Sequence, residues 1–158
     1  MRQDVRVSPP AYDQQVSNWT VELFDAKQFD RFVKKLGRYE EVVLFAAIDH
    51  FLKPLGQDIC NGEWGKALGE GLFEFRVRRS LSAIYSAAGL DETDLPDDIK
   101  TPHREVLLRV FCTFHGSRIV LILSGYDKRR DPSPRRQQRE ITKARSLLKR
   151  WKEQQKRS

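Results

Sequence analysis

Four cationic side chains lie on or directly after predicted strands, in positions from which they could reach one phosphate group. They are Arg76, Arg109, Lys128 and Arg129. Guanidinium groups suit the charge that builds on phosphate oxygens, because they stay protonated and their donors need no reorganisation. In RNA, the 2′-hydroxyl can attack the adjacent phosphodiester and leave a cyclic phosphate and a free 5′-hydroxyl without a metal ion. These residue types could stabilise the charge that develops in such a reaction. No metal or other cofactor is predicted, since the sequence has no metal-ligand spacing.

The proton acceptor for such a reaction has several candidates. Glu74 is two residues from Arg76 and shares its side of the strand. Flanking cations would hold this carboxylate in its ionised form, which makes it a weak base. Tyr126 and Asp127 are equal alternatives. His115 would titrate in the most suitable range, but it lies at the predicted hairpin turn, at a distance from the cations.

Positive charge is concentrated at the C-terminal end of the chain. The segment 128–158 has 13 Lys/Arg and 3 Asp/Glu, a net charge of +10. The whole chain is +7, so residues 1–127 sum to −3 (7 − 10). Such a patch predicts a polyanionic partner, and nucleic acid is the natural candidate. The candidate RNA-binding residues are Arg78, Arg130, Arg135, Arg136, Arg139 and Lys143. The last helix, which holds most of them, can equally be interpreted as a solvated helix that buries Trp151.

The composition predicts one folded domain in the cytoplasm. With 158 residues and 39% hydrophobic content, the chain can bury a core over residues 17–155, after a flexible leader at 1–16. The longest apolar run, Val42–Ile48, is too short to cross a bilayer. No signal-peptide pattern is found at the N-terminus, and no membrane partner is predicted. Cys60 and Cys112 are expected to be free thiols in a reducing compartment.

The hydrophobic pattern predicts an α+β fold with a small, mainly antiparallel sheet. Alternation of apolar and polar residues indicates strands, and apolar residues at helical spacing indicate helices. The predicted strands are Trp19–Phe24, Leu72–Arg79, Val106–Phe114 and Arg118–Ser124, and the predicted helices are 25–37, Glu40–Leu52 and Pro134–Gln154. The first two helices form a hairpin on one face of the sheet. The opposite face is predicted to carry a row of charge.

The segment 80–104 is too long for a turn between two strands. It contains five carboxylates, those of Asp91, Glu92, Asp94, Asp97 and Asp98. The segment is interpreted as a solvated loop. The alternative is that it folds over the cationic face and moderates its binding.

Three short motifs occur in the order found in a known family of toxins. Gly71–Arg76 resembles the Gly-Leu-Trp-Glu-Leu-Arg strand of the phage-Gp49-like and HigB-like toxins in the RelE/ParE superfamily. Leu108–Phe111 resembles their Tyr-Arg-Val-(Leu/Phe)-Tyr strand. The run Val120–Arg129, followed by Pro134 and by Glu140-Ile141-x-x-Ala144, is similar to the end of those chains. In element order the resemblance covers roughly residues 18–151.

This resemblance implies a RelE-like fold and the toxin of a type II toxin–antitoxin system. Many members are endoribonucleases that cleave mRNA in the ribosomal A site. The resemblance also implies a cognate antitoxin, usually a helix-turn-helix protein, and operator DNA bound through that antitoxin. The ParE branch inhibits DNA gyrase instead, so a non-catalytic gyrase inhibitor and an inactive RNA-binding module are alternatives. Three features depart from the family pattern. They are the insertion at 80–104, Glu74 at a position where some members carry a basic residue, and the absence of a C-terminal tyrosine that some members use.

Overall fold

The computed structural model describes residues 18–157, so the predicted leader at 1–16 lies outside the described residues. Five strands form one mixed sheet in the order β1-β5-β4-β3-β2. They are β1 (Thr20–Leu23), β2 (Gly65–Gly69), β3 (Leu72–Val77), β4 (Leu108–His115) and β5 (Ile119–Asp127). β1 is parallel to β5, and the other neighbouring strands are antiparallel. The predicted α+β class and the mainly antiparallel sheet are therefore confirmed.

Helices cover both faces of this sheet. They are α1 (Ala26–Lys35), α2 (Arg38–Ala47), α3 (Leu81–Ala87) and α4 (Pro134–Lys156), with short helical turns over 48–61 after α2. α1 starts directly after Asp25, whose carboxylate caps it by accepting from the amide of Gln28 over 3.1 Å. The start of α4 is fixed by Pro134 in its first turn and by Ser133, whose Oγ accepts from the amide of Arg136.

The hairpin of β2 and β3 was not predicted. β2 has the sequence Gly-Lys-Ala-Leu-Gly, which contains no β-branched or aromatic residue and so gives no strand signal. Its pairing with β3 depends on a turn in which Glu70 has φ = 57° and is flanked by two glycines that also have positive φ. The strand forms because β3 offers it a partner edge, and not because of local preference.

The sheet has a hydrophobic core on each face. On the first face, α1, α2 and α3 pack against β-sheet residues such as Phe75, Val110 and Ile122. On the second face, Leu147 and Leu148 of α4 pack against Phe111 and other sheet residues. The second face therefore carries the predicted charges Glu74, Arg76 and Arg109, together with a second hydrophobic core that the strand pattern did not predict. α4 buries much of the second face, because its apolar stripe needs a partner surface.

The segment 80–104 is an ordered part of the first face. It contains α3, whose residues Leu81 and Ile84 are buried in the first core. Tyr39 of α2 donates its hydroxyl proton to the carbonyl of Arg104 over 2.6 Å and accepts from the amide of Leu81. Asp98 pairs with Arg38 of α2 over 2.8 Å. The acidic segment lies on the α2 side of the sheet, so the alternative in which it covers the cationic second face is wrong.

Candidate active site

Strand register brings Arg76, Arg109 and Tyr126 into one row on the second face of the sheet. Arg76 of β3 lies opposite Arg109 of β4, and Arg109 lies opposite Tyr126 of β5. Residues in direct register on one face have Cβ atoms about 4.5–5.5 Å apart. The next row on this face consists of Glu74, Phe111 and Ser124.

A β-bulge in β5 puts Tyr126 on this face. Cys112 of β4 pairs with Ile122, whereas the preceding residue of β4 pairs with Ser124, so Leu123 is the extra residue. Ile122 belongs to the first core, while Leu123 and Tyr126 both belong to the second. Strict alternation would have placed Tyr126 beside Ile122, on the face opposite Arg109.

Glu74 is a fully buried carboxylate between the two arginines. Nε of Arg76 donates to Oε1 of Glu74 over 2.8 Å, and Nε of Arg109 lies 3.9 Å from Oε2. Oε2 is closed to solvent and has no hydrogen-bond partner among the described residues. A carboxylate enclosed in this way cannot contact a 2′-hydroxyl. The geometry gives Glu74 the role of holding the two guanidinium groups.

The two arginines differ in access to solvent. The side chain of Arg76 is 22% exposed and that of Arg109 only 4%. Burial lowers the pKa of Arg109, and the Glu74 carboxylate opposes this shift. Arg109 donates one hydrogen bond, from Nη1 to the carbonyl of Leu108 at 3.3 Å, while its Nε has no partner within residues 18–157. Arg76 is therefore the more accessible of the two guanidinium groups, and Arg109 is enclosed behind it.

Tyr126 contributes a hydroxyl that is buried and has no hydrogen-bond partner in the described part of the chain. Its ring is stacked on Phe111 at 6.2 Å between centroids, and the guanidinium of Arg136 lies 5.2 Å from its centroid. Burial raises the pKa of Tyr126, and the carboxylates of Glu74 and Glu140 raise it further. The side chain is therefore a neutral phenol at physiological pH, which suits a hydrogen-bond donor better than a base.

Lys128 joins the cluster from the end of β5. Its amide donates to the carbonyl of Leu107 over 2.8 Å, and its Nζ donates to Oε1 of Gln137 over 3.4 Å. Burial lowers the pKa of Lys128, and the charges of Arg109 and Arg76 lower it further. A lysine with a lowered pKa is a stronger acid than an ordinary lysine. The sequence indicated only a phosphate-binding cation here.

Asp127 and Arg129 shape the turn after β5 instead of joining the row. Oδ1 of Asp127 accepts from the amide of Arg129 over 3.0 Å, and Oδ2 lies 3.5 Å from Nε of Arg130. The carboxylate of Asp127 is therefore engaged in local structure. His115, the remaining proton acceptor considered, is six residues from Arg109 along β4, about 20 Å away at the usual rise per residue, and it contacts Trp151.

The cations of α4 divide into two groups. Arg145 donates to the carbonyl of Leu68 over 2.7 Å, and Lys152 donates to that of Glu70 over 3.2 Å, so both hold the β2–β3 turn. The exposed group includes three of the predicted RNA-binding residues, Arg135, Arg139 and Lys143. Trp151 is half-buried against the second core. α4 therefore exposes cations on one side and buries Trp151 on the other, so it is compatible both with RNA binding and with a solvated helix that packs on the sheet. Arg78 is exposed just beyond the end of β3.

Arg136 was predicted to bind RNA, but its neighbours in the site, Glu140, Ser124, Arg31 and Lys35, were not predicted. Arg136 packs on Tyr126 and pairs with Glu140 over 2.9 Å, which places both α4 residues beside the row. The spacing of four residues on a helix could have indicated this pair. Ser124 and two cations of α1, Arg31 and Lys35, also lie near Tyr126, around a cavity of about 380 Å³. Only the packing of α1 beside β5 brings them there.

Metal clusters, reactive thiols and membrane-spanning helices are not found in residues 18–157. Residues 18–157 contain no group of three or more His, Cys, Asp or Glu side chains that could hold a metal ion. Burial raises the pKa of both thiols, Cys60 and Cys112, so neither is a ready nucleophile. No helix in this part of the chain is long and apolar enough to cross a membrane.

Comparisons with family models, with curated proteins and with solved structures find no significant match for this chain. The resemblance to the RelE/ParE toxins therefore depends on the short motifs of β3, β4, β5 and α4.

Proposed function

We propose that this protein is the toxin of a type II toxin–antitoxin system, an endoribonuclease that cleaves translated mRNA at the ribosome without a metal ion. The observation that carries the proposal is the row of Arg76, Arg109 and Tyr126, with Glu74 buried between the arginines. Cations and an unpaired phenol hydroxyl, fixed on adjacent strands, suit a phosphate on which negative charge develops. The motifs similar to those of the RelE/ParE toxins support the same assignment.

In the proposed reaction, O2′ loses its proton and bonds to phosphorus, and the bond between phosphorus and O5′ breaks. Arg76 contacts the non-bridging oxygens, and Arg109 adds positive charge through the protein interior, where screening is weak. The hydroxyl of Tyr126 is closed to solvent in the free protein, so it donates to the phosphate only if RNA binding displaces Arg136 from its ring. Lys128 gives a proton to the departing O5′. The 2′ proton passes to water or to a ribosomal group, because Glu74 is enclosed and Asp127 is engaged in its turn.

The proposed partners follow from the charge of this surface. A cognate antitoxin, proposed to be a helix-turn-helix protein, would cover the cationic surface with acidic or apolar groups. Operator DNA would then be bound through the antitoxin. The remaining partners are the ribosome and its mRNA, whose phosphates would meet the exposed cations Arg135 and Arg139 of α4.

An inactive RNA-binding module is the second candidate. One observation favours it, namely that the carboxylate of Glu74 and the hydroxyl of Tyr126 are both closed to solvent. Such a protein would retain the cations of α4 and bind RNA without cutting it. Gyrase inhibition has no comparable observation in its favour, since it requires no row of phosphate-binding cations.

The test is primer extension on mRNA in programmed ribosomes, with wild type, Arg76→Ala and a control, Lys100→Ala. Lys100 is an exposed cation of the segment 80–104, outside the row and outside the candidate RNA-binding residues. We expect new 5′ ends within A-site codons for wild type and Lys100→Ala, and a loss of about 10²-fold or more for Arg76→Ala.

Two other outcomes would reject the proposal. Equal activity of all three proteins would remove the row from the mechanism. No cleavage by folded wild type, together with retained RNA binding, would favour the inactive module. Thermal unfolding of each variant confirms that the protein assayed is folded.

A further inference from the structure

A groove lies between α1 and α4 along the outer edge of β5. β1 pairs with β5 only from Ile119 to Ile122, and the amide of Phe24 makes the last bond, to the carbonyl of Ile122 at 2.9 Å. Beyond this point, no strand among the described residues covers the outer edge of Ser124–Asp127. The space there has a volume of about 380 Å³, within the range of ligand pockets.

Cations line both walls of this groove. Arg31 and Lys35 lie one helical turn apart on α1, facing Arg136 and Lys143 of α4, and Arg130 comes from the loop between β5 and α4. The groove also contains two carboxylates, Asp127 and Glu140, but each is already paired, with Arg130 and Arg136 respectively. Arg31, Lys35 and Lys143 form no ion pair within residues 18–157, so the groove has positive charge available for a ligand.

Polar atoms without partners provide a second, independent indication of a ligand. The buried atoms with no hydrogen-bond partner among the described residues include Oε1 of Gln28, Oγ of Ser124 and the hydroxyl of Tyr126. All three residues line the groove. Buried polar groups are almost always paired, so a concentration of unpaired ones around a single cavity is typical of a site that a polar ligand completes.

The groove also contains an aromatic surface beside the cations. Phe32 of α1 lies directly against β5, since a Cβ added at Gly125 would be 2.7 Å from its Cε2. The ring of Phe32 is half-buried and lines the cavity together with Tyr126. An aromatic ring between cationic walls is the arrangement with which proteins hold single-stranded nucleic acid, the ring against a base and the cations against phosphates.

We propose that this groove binds single-stranded RNA next to the cleavage row. Tyr126 lies in the row with Arg76 and Arg109 and also lines the groove. An RNA strand that has its phosphate at this row would therefore cross β5 and enter the groove. Arg31 and Lys35 then bind phosphates that the enzyme does not cleave. The choice of RNA as ligand rests on the proposed function, whereas the groove and its charge do not.

The experiment measures binding of a fluorescent, single-stranded 2′-O-methyl oligonucleotide by anisotropy. This RNA lacks the attacking hydroxyl, so binding is measured without cleavage. The test variant is Arg31→Ala/Lys35→Ala, and the control is Lys27→Ala/Lys34→Ala, which removes two cations of the same helix that do not line the groove. On the opposite wall, Lys143→Ala is compared with Lys149→Ala in the same way.

We expect Arg31→Ala/Lys35→Ala to weaken binding about tenfold and to reduce the slope of log K against log salt by about 1.4, the value for two single-strand phosphates. The control pair should change both quantities much less. Equal losses in the test and control pairs would overturn the proposal, since they would indicate only net charge. Displacement of the RNA by polyglutamate at equal charge concentration would also overturn the proposal. It would indicate that the ligand of the groove is an acidic peptide and not RNA.

Failure of this proposal can be distinguished from failure of the nuclease assignment. If the groove does not bind RNA, A-site cleavage by wild type and its loss in Arg76→Ala are unaffected. If the protein is not a nuclease, the affinity for the oligonucleotide should still differ between Arg31→Ala/Lys35→Ala and the control pair Lys27→Ala/Lys34→Ala.

Discussion

Glu74 and Arg109 are buried on adjacent strands with 3.9 Å between Oε2 and Nε, and neither atom has a hydrogen-bond partner among the described residues. This separation is too long for a hydrogen bond, although the two groups carry opposite charge. A buried donor and acceptor left unpaired cost stability. Such a cost in a well-packed sheet is typical of a functional site, where a ligand rather than the fold completes the bonding.

Replacing Glu74 should destabilise the protein strongly. In Glu74→Gln, Arg76 loses its ion pair and Arg109 loses the carboxylate that offsets the cost of burying its charge. We therefore expect a loss of about 3 kcal/mol in the free energy of unfolding. Urea denaturation provides the measurement. The control is Glu63→Gln, which breaks the exposed pair with Arg79 and should cost less than about 1 kcal/mol. Similar effects for the two variants would contradict a supporting role for Glu74.

Replacing Tyr126 should separate activity from stability. Its hydroxyl is buried without a partner, so Tyr126→Phe should leave the free energy of unfolding unchanged or raise it by about 1 kcal/mol. If the hydroxyl donates to the phosphate in the transition state, the same variant should cleave about 10²-fold more slowly. Thermal unfolding and single-turnover cleavage measure the two effects. A variant that loses stability and activity together would indicate a hydrogen bond within the folded protein.

The cleavage rate should decrease on the alkaline side at a pH below the ordinary pKa of lysine. Burial and the nearby arginines lower the pKa of Lys128, so this group loses its proton earlier as the pH rises and can no longer act as an acid. Lys128→Arg keeps the charge at high pH, and its rate should show no alkaline decrease in this range. The pH–rate profiles of both proteins test the assignment, and an identical decrease in Lys128→Arg would assign it to another group.

The lowered pKa of Lys128 also predicts the sign of its effect on stability. Between the folded pKa and the higher unfolded pKa, the unfolded chain binds more protons, so this group makes the protein more stable as the pH rises through that window. The contribution should disappear in Lys128→Met, as measured by urea denaturation over the same pH range.

Two arginines of α4 should have opposite phenotypes. Arg145→Ala removes the donors to the carbonyls of Leu68 and Gly69, so we expect a loss of about 1–2 kcal/mol in stability with little change in RNA affinity. Arg139→Ala, from the exposed part of the helix, should keep the stability and reduce RNA affinity together with its salt dependence. Unfolding and anisotropy titrations of both variants test this division.

Local sequence by itself determined several features. The period of two along Leu72–Val77 places Glu74 and Arg76 on one side of their strand wherever that strand lies, because successive side chains point to opposite faces. The caps at Asp25 and Ser133 fix the starts of α1 and α4 through hydrogen bonds within three residues. These features could be predicted because each depends on neighbours in the chain.

Tertiary structure decided which side chains meet. The bulge at Leu123 turns Tyr126 toward Arg109, and alternation alone predicts the opposite face. Glu74 and Arg109 are buried in the folded protein, which the alternation of β3 and β4 alone does not predict. The site and the groove depend on register and packing between segments far apart in the chain. The register of the strands and the packing of the helices are stabilised by contacts between distant segments, which no local sequence pattern contains. The sequence therefore determined which chemical groups are present, and only the fold decided how they are arranged.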